Sequence, residues 1–301
     1  PNGARYMWFE DDLLAGQITT EKPFGMYGAP GHAQEDWSLE AMIPAFVERA
    51  KQEIAQAGKS DQPLFLYLAL TSPHSPIVPN DRFKGMSQAG PYGDFVCEVD
   101  WAVGEVMAAL DGAGMTEDTL IIFSSDNGPE KSVLDDIGAS HRIQQFDHYS
   151  MGELRGIKRD NWEGGHRVPF VARKPGLIPA GTVCDQTMML GDLFATCADL
   201  LGAPVPEDSA EDSVSCLPQL RGETVASRRC TIHQDIDGHF ALRQGNWLFI
   251  DHKSGDCNGE PVWFMAQRGY QYHDQPGELY NLADDPQQRH NLAEDPAHAD
   301  A

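Results

Sequence analysis

The stretch Leu120–Glu130 reads L-I-I-F-S-S-D-N-G-P-E, an apolar run that stops abruptly on an acid, an amide and a glycine. Leu120, Ile121, Ile122 and Phe123 are too few for a helix and too continuous for a half-exposed strand, so they predict a central strand of a parallel sheet. Asp126 and Asn127 then sit just beyond the strand's carboxyl end, the edge at which open α/β sheets bind ligands. Both offer only oxygen ligands, and hard oxygens without imidazole or thiolate suit Ca²⁺ or Mg²⁺ better than Zn²⁺. Gly128 permits a turn with positive φ, and Pro129 stops the strand. An ordinary D-N-G turn explains the same residues, and at this point both readings are open.

Composition limits the partners such a site can have. The chain has 301 residues, 41% of them hydrophobic, enough for one large domain or a large domain with a small one. Lys and Arg total 22 against 46 Asp and Glu, a formal net charge of −24. That surface repels phosphate backbones and argues against a nucleic-acid partner; an anionic substrate needs a local cationic patch or a metal. The acidity as such reads as a solubility feature. Six cysteines (Cys97, Cys184, Cys197, Cys216, Cys230, Cys257) show no C-x-x-C pairing or regular spacing, and by spacing support neither a zinc site nor a disulfide framework. No apolar run reaches the length of a membrane span, and Pro1 is followed by neither a basic n-region nor an apolar h-region.

Along the chain, residues 1–35 are rich in Gly and Pro and read as one short strand, around Tyr6 to Phe9, followed by loop. Leu39, Met42, Ile43, Phe46, Val47 and Ile54 have helical spacing, with Ser38 as N-cap and Gly58 past the end. Leu64–Leu70 (L-F-L-Y-L-A-L) predicts a second buried strand ending in T-S-P-H-S-P, whose prolines fix the loop around His74. A helix over Val96–Leu110, closed by Gly112, completes a βαβ unit with parallel strands.

From Glu130 to His166 apolar periodicity is weak, and a connection that long is usually functional or disordered. Arg155, Lys158, Arg159 and Arg167 cluster there, with Gly156, Gly164 and Gly165 allowing close backbone approach. An anion site and a solvated basic loop both fit. Val168–Gly176 reads as a further strand and turn, Leu190–Leu201 as a helix, and Ala203–Glu223 as a proline-rich acidic linker. Short strands at Thr231–Gln234, Phe240–Gln244 and Trp247–Asp251, with a hairpin loop at Gly245 and Asn246, predict a small antiparallel sheet. The expected division is a main domain at 1–202, a linker at 203–230 and a small subdomain at 231–301.

Three segments combine into a more specific pattern: P-H-S-P at 73–76, S-D-N-G-P-E at 125–130 and L-R-G-I-K-R-D-N-W-E-G-G-H-R-V-P-F at 154–170. In this order and spacing they resemble the sulfatases, particularly arylsulfatases of the alkaline-phosphatase-like superfamily. The segment G-E-L-Y-N-L-A-D-D-P-Q-Q-R-H-N-L at 277–292 is similar to that family's C-terminal part. The resemblance implies an α/β fold, a mostly parallel sheet flanked by helices with a small C-terminal antiparallel subdomain, and hydrolysis of a sulfate ester of a small molecule or carbohydrate. It implies one Ca²⁺, with Mg²⁺ less suited, bound in part by Asp126 and Asn127. Lys158 matches the lysine that binds the sulfate oxygens, and His74 the histidine that contacts the sulfate from the far side. A fixed ammonium and a divalent ion stabilise charge on a transferring sulfuryl group, while imidazole can donate to an ester oxygen. A periplasmic or extracellular location is a further expectation from the resemblance.

The departures matter as much. The family's nucleophile is a formylglycine, made by a maturation enzyme from Cys or Ser in a C/S-x-P/A-x-R segment upstream of the metal pair, and no such segment occurs in these 301 residues. Cys216 begins C-L-P-Q-L-R, but Arg221 comes one position too late and the segment follows the metal pair, so Cys216 is set aside. Asp11 and Asp12 lack the preceding apolar strand that carries the family's aspartate pair, so Asp135 and Asp136 are no worse candidates, and none of them is assigned. The chain resembles the C-terminal two-thirds of a sulfatase, expected to be inactive alone. The alternatives are a phosphatase or phosphonate hydrolase of the same superfamily, against which Asn127 stands because di-zinc phosphatases need imidazole there, and a non-catalytic binding fragment.

Overall fold

In the computed structural model, which describes residues 5–11, 13–22, 31–35, 37–131 and 138–298, the chain forms two units, Pro1–Thr116 and Glu117–Ala301. The first begins with β1 (Arg5–Tyr6), β2 (Phe9–Glu10), β3 (Leu13–Leu14), β4 (Thr20–Glu21) and β5 (His32–Ala33). β5 lies parallel to β1 and antiparallel to β4, while β2 and β3 pair antiparallel. The Gly- and Pro-rich opening thus holds several two-residue strands where one strand and a loop were expected.

The helix predicted from Leu39 begins three residues later, as α1 (Met42–Ala57), because Ser38 is used in the turn before it, where its Oγ accepts from Ala41 N at 3.2 Å. Gly58 follows the last helical residue as expected. α2 (Gly90–Gly112) packs on α1 around Ile43, Val47, Phe95 and Ala102. Two buried carboxylates serve the backbone here: Asp94 accepts from Gly85 N and Ser87 N at 2.8 Å, and Glu98 accepts from Asn80 N at 2.9 Å. Each satisfies loop donors that would otherwise be lost to solvent.

Leu64–Leu70 departs from expectation. It joins no ladder among the described residues. Leu70 packs against the α1–α2 core, whereas Phe65 and Tyr67 are 84% and 81% exposed. A continuous apolar run of this kind needs cover on both faces, and here only one face has it.

The second unit begins with β6 (Ile121–Ser124), followed by α3 (Ala139–Phe146), α4 (Glu163–His166) and β7 (Phe170–Arg173). β6 pairs antiparallel with β7, from Ile121↔Arg173 to Ser124↔Phe170. The parallel βαβ pairing of the 64–70 and 120–123 runs is therefore not formed among the described residues, and β6 is half-buried rather than central. The α/β class holds.

α5 (Asp192–Leu201) and α6 (Leu217–Leu220) follow. Within the stretch read as a linker, Cys216, Leu217 and Leu220 are buried, and Cys216 N donates to Thr196 Oγ1 of α5 at 2.9 Å. Arg228 pairs with the buried Asp192.

The C-terminal antiparallel sheet is observed. β8 (Thr231–Gln234), β9 (Phe240–Gln244), β10 (Trp247–Ile250) and, after α7 (Val262–Arg268), β11 (Glu278–Asn281) stand in the order β11-β10-β9-β8. Gln244 faces Trp247 across the Gly245–Asn246 loop, with Gly245 at φ +58°. Ala241, Leu248, Ile250, Tyr280 and Leu282 bury one face of this sheet together with Trp162, which comes from the 154–166 segment. No helix among the described residues is long and apolar enough to cross a membrane.

Leu248 is fully buried at the middle of that core. Leu248→Ala is expected to lower unfolding stability by about 2–5 kcal/mol, measured by urea denaturation; a loss under about 1 kcal/mol would mean the sheet does not rest on this core.

Candidate active site

The end of β6 is fixed by its own side chains. Ser124 Oγ donates to Pro169 O at 2.9 Å, just before the strand paired with it, and Ser125 Oγ donates to Asn127 O at 3.2 Å. Asp126 is exposed. The Asn127 amide nitrogen donates to Gly128 O at 2.9 Å, leaving Oδ1 as the atom with lone pairs to offer a cation.

Gly128 does not take the positive φ expected of it; its role is to leave room. Its N–H donates to Gly165 O at 3.0 Å, and a Cβ there would lie 1.8 Å from Gly164 O. Gly164 is equally confined, since a Cβ on it would lie 2.2 Å from Gly156 O. The backbones of 125–130 and 155–165 therefore pack with nothing between them.

That contact brings Lys158 to the strand end. Lys158 N donates to Pro129 O at 3.0 Å, and its ammonium lies 3.2 Å from Glu130 Oε2. Arg159 grips both oxygens of the same carboxylate, at 2.5 and 3.0 Å. Burial pushes the Glu130 carboxyl up, but the hydrogen bonds and charges of Arg159 and Lys158 outweigh it and hold the group below its usual range. Two cations share one carboxylate, so the cluster carries net positive charge beside Asp126 and Asn127. Glu130 carries no signal in the sequence beyond closing the same S-D-N-G-P-E segment.

The segment holding Lys158 is a scaffold, not a solvated basic loop. Arg155 is 4% exposed, and its guanidinium lies 3.7 Å from the Trp162 ring centroid and 4.3 Å from that of Tyr270. It donates to Gln288 O and pairs with the buried Glu260, both at 3.1 Å. Trp162 Nε1 donates to Glu278 Oε2 at 2.7 Å. Arg243 bonds Glu163 at 2.7 Å, and Arg167, the fourth member of the basic cluster, is largely exposed. Asp160, with its carboxyl pushed up to about 6 by burial, accepts from Ile157 N, Cys257 N and the Asn258 amide.

His74 belongs to the first unit, between Pro73 and Pro76, with its Nδ1–H donating to Ser75 O at 2.6 Å. Asp126, Asn127 and Lys158 are gathered in the second. Asp11 is exposed at φ 51°, while Asp12, Asp135 and Asp136 lie outside the described residues. Cys216 is a core thiol, 1% exposed and 3.1 Å from Thr196 Oγ1, and burial pushes its pKa up. A thiol so placed is a poor nucleophile.

Gly128→Ala is expected to cost about 1–3 kcal/mol or more, read by urea denaturation, because the new methyl meets a carbonyl oxygen; a neutral substitution would show the two loops are not in contact. A second outcome concerns pH. Burial, then the neighbouring His233, push the His166 pKa down to about 4, so the folded state resists a proton that the unfolded chain accepts near 6.5. This contribution is present above pH 6.5 and lost as pH falls toward 4. Asp160 and Glu260, raised by burial to about 6 and 7, act in the opposite sense. The difference between parent and His166→Phe isolates the histidine: stability measured at pH 7 and pH 4.5 should fall less, or rise more, in the variant on acidification. Parallel changes in the two proteins would refute the assignment.

Comparison with known proteins gives the arrangement its family. The sulfatase family model matches residues 22–203. An N-acetylgalactosamine-6-O-sulfatase of Bacteroides thetaiotaomicron is 34% identical over 248 residues, covering 82% of this chain and 46% of that protein. Human arylsulfatase A is 34% identical over 269 residues, covering 83% of this chain and 50% of the relative. A solved structure from work on glycosaminoglycan metabolism by Bacteroides thetaiotaomicron superposes with a TM-score of 0.77 at 30% identity, over 92% of this chain and 56% of that one. The phosphonate monoester hydrolase of Agrobacterium radiobacter, 20% identical with a TM-score of 0.56 over 84% of this chain and 57% of its own, shares the alkaline-phosphatase-like fold. The chain spans about half the length of the curated relatives it matches. With a family match running through both the 73–76 and 125–170 segments, and relatives a third identical over four-fifths of its length, the chain belongs to the sulfatase family.

Proposed function

We propose that the protein carrying this chain hydrolyses sulfate esters, and that the second unit holds the sulfate at Lys158 beside a Ca²⁺ bound in part by Asp126 and Asn127. The observation that carries this reading is the Lys158 N–H to Pro129 O bond, which ties the ammonium's backbone to the turn bearing both oxygen ligands. The exposed Asp126 carboxylate and the Asn127 Oδ1 are a donor set that fits Ca²⁺, with Mg²⁺ the lesser candidate. They are too few alone for an ion that takes roughly 6–8 oxygens. When bound, Ca²⁺ supplies positive charge that stabilises sulfate oxygens as the ester bond breaks.

The chain's own residues do the rest. Lys158 binds a sulfate oxygen, and its exchange between Glu130 and substrate keeps the ammonium charged and directed. The family resemblance gives His74, whose Nδ1–H donates to Ser75 O, the role of donating to an ester oxygen. The nucleophile, a formylglycine installed by a maturation enzyme, belongs to sequence outside these 301 residues. The B. thetaiotaomicron and arylsulfatase relatives favour a sulfated carbohydrate or aryl ester as the substrate class.

In the intact, matured protein, Lys158→Ala should lower turnover of an aryl sulfate by roughly 10² to 10³, as for loss of one oxyanion donor. Turnover within twofold of the parent would reduce Lys158 to a structural charge, and preference for an aryl phosphate would favour the phosphatase reading. The 301-residue chain alone should show no turnover; activity that disappears with Cys216→Ala would overturn the placement of the nucleophile.

A further inference from the structure

The cluster of Asp235, His239 and Cys257 lies outside the site described above and is used by none of its chemistry. One ligand atom from each, a carboxylate oxygen, an imidazole nitrogen and the sulfur, lie within 4.8 Å of one another. Asp235 and His239 close the loop between β8 and β9, and Cys257 comes from the turn before α7. The geometry points to a Zn²⁺ site formed by Asp235, His239 and Cys257, with water as the fourth ligand on the half-exposed side of His239.

The surroundings are prepared for a cation. Asp235 is held from four directions: Oδ1 accepts from Asp237 N and His239 N at 2.9 Å, and Oδ2 lies 2.8 Å from His239 Nδ1 and 3.2 Å from the Asn161 amide nitrogen. The His239 ring stacks on His252 at 3.7 Å with planes 12° apart, which fixes its orientation. Such fixed partners are what orient metal ligands. Asn161 is fully buried, its amide nitrogen donates to Asp235 and to His239 O, and its Oδ1 has no hydrogen-bond partner. That orphan acceptor sits on the side chain that holds Asp235 and is a buried cost of the site as it stands.

Ligand type selects the metal. Sulfur, nitrogen and oxygen together suit Zn²⁺, whereas Ca²⁺ and Mg²⁺ call for oxygens throughout. Around zinc with bonds of about 2.0–2.3 Å, tetrahedral ligand atoms sit roughly 3.3–3.8 Å apart, so Asp235 Oδ2 and His239 Nδ1, now 2.8 Å apart, need to open by about 0.5 Å while any pair near the 4.8 Å limit closes by about 1 Å. Protons balance: the Cys257 thiol releases one to solvent, and His239 gives up the Nδ1 proton while taking one at Nε2. Asp235, Asp237 and Asp160 surround the Cys257 thiol with negative charge. A divalent cation inverts that field. Because Ile236 N donates to Arg159 O, the bound ion would brace the backbone next to Lys158.

This site is independent of the sulfatase reading, and its test uses metals alone. The purified, chelator-stripped 301-residue chain is titrated with Co²⁺, then with Zn²⁺. One equivalent of Co²⁺ should produce a sulfur-to-cobalt charge-transfer band in the near ultraviolet, displaced by Zn²⁺. Cys257→Ser should abolish the band, and His239→Gln, at a half-exposed position tolerant of change, should weaken Co²⁺ binding by at least about tenfold. Cys216→Ser and Asp126→Ala should leave the band intact, separating it from the core thiol and from the Ca²⁺ ligands. No band in the parent, or a band that survives Cys257→Ser, overturns the proposal. Far-ultraviolet circular dichroism on each variant shows whether a lost band is a lost ligand or a lost fold, and if Cys257→Ser unfolds, the His239→Gln affinity decides.

Discussion

The buried guanidinium of Arg155 is the contact on which the second unit's geometry depends. Taking such a charge out of water carries a penalty of several kcal/mol, recovered only with good geometry and a full set of partners. Here the partners are two aromatic faces, Trp162 and Tyr270, one carboxylate, Glu260, and the Gln288 carbonyl. Desolvated cation–π contacts are worth about 2 kcal/mol or more. The arrangement is not fully satisfied, because Arg155 Nε has no partner. Its contribution lies in specificity of position: the planar group fits one slot between two rings, and that slot constrains the chain on either side.

The chain so constrained is the loop that carries Lys158. This lysine is three residues from Arg155, and Trp162, on the other side, is tied to Glu278 of β11. With Trp162 clamped to the C-terminal sheet and Arg155 to Glu260, Tyr270 and Gln288 outside its strands, the intervening backbone lies against 128–130 through glycines. Any side chain at Gly128 or Gly164 would push the ammonium from the strand end. The small C-terminal sheet is therefore more than an appendage: it positions the lysine, although it supplies none of the residues that touch sulfate in the proposed mechanism.

How much of this is legible in the sequence depends on the range of the interactions involved. Helices α1 and α2 and the β9–β10 hairpin are readable because their signals are local: apolar spacing, Gly58, and Gly245–Asn246. The Leu64–Leu70 run reads as a paired strand because its composition asks for two covered faces, and that composition cannot reveal whether a neighbour is present in the same chain. Likewise the antiparallel β6–β7 pairing joins residues about fifty positions apart, which no periodicity specifies. Within the site, Asp126, Asn127 and Lys158 stand out through motif resemblance, while Glu130 and Asp160 do not. Their roles come from partners such as Arg159 and Cys257 that are fixed only by folding. Arg155 is the sharpest case: its sequence context reads as one more surface cation, and only the approach of Trp162 and Tyr270 turns it into core.

The acidity of the chain and the anionic substrate class proposed for it are reconciled by distance. A net charge of −24 spread over the surface is screened over about 8–10 Å at physiological ionic strength, so it sets a repulsive background that weakens as salt rises. Inside the cluster the separations are 2.5–3.2 Å, well within that length, and partial burial keeps solvent ions from intervening. In the proposed mechanism Lys158 therefore acts on a bound sulfate with little interference from the remote carboxylates. Glu130 decides how that ammonium is presented. By accepting both hydrogen bonds of Arg159 it commits most of its charge there, and in the proposed mechanism Lys158 is the cation that exchanges a carboxylate oxygen for a sulfate oxygen without leaving a buried charge unpaired.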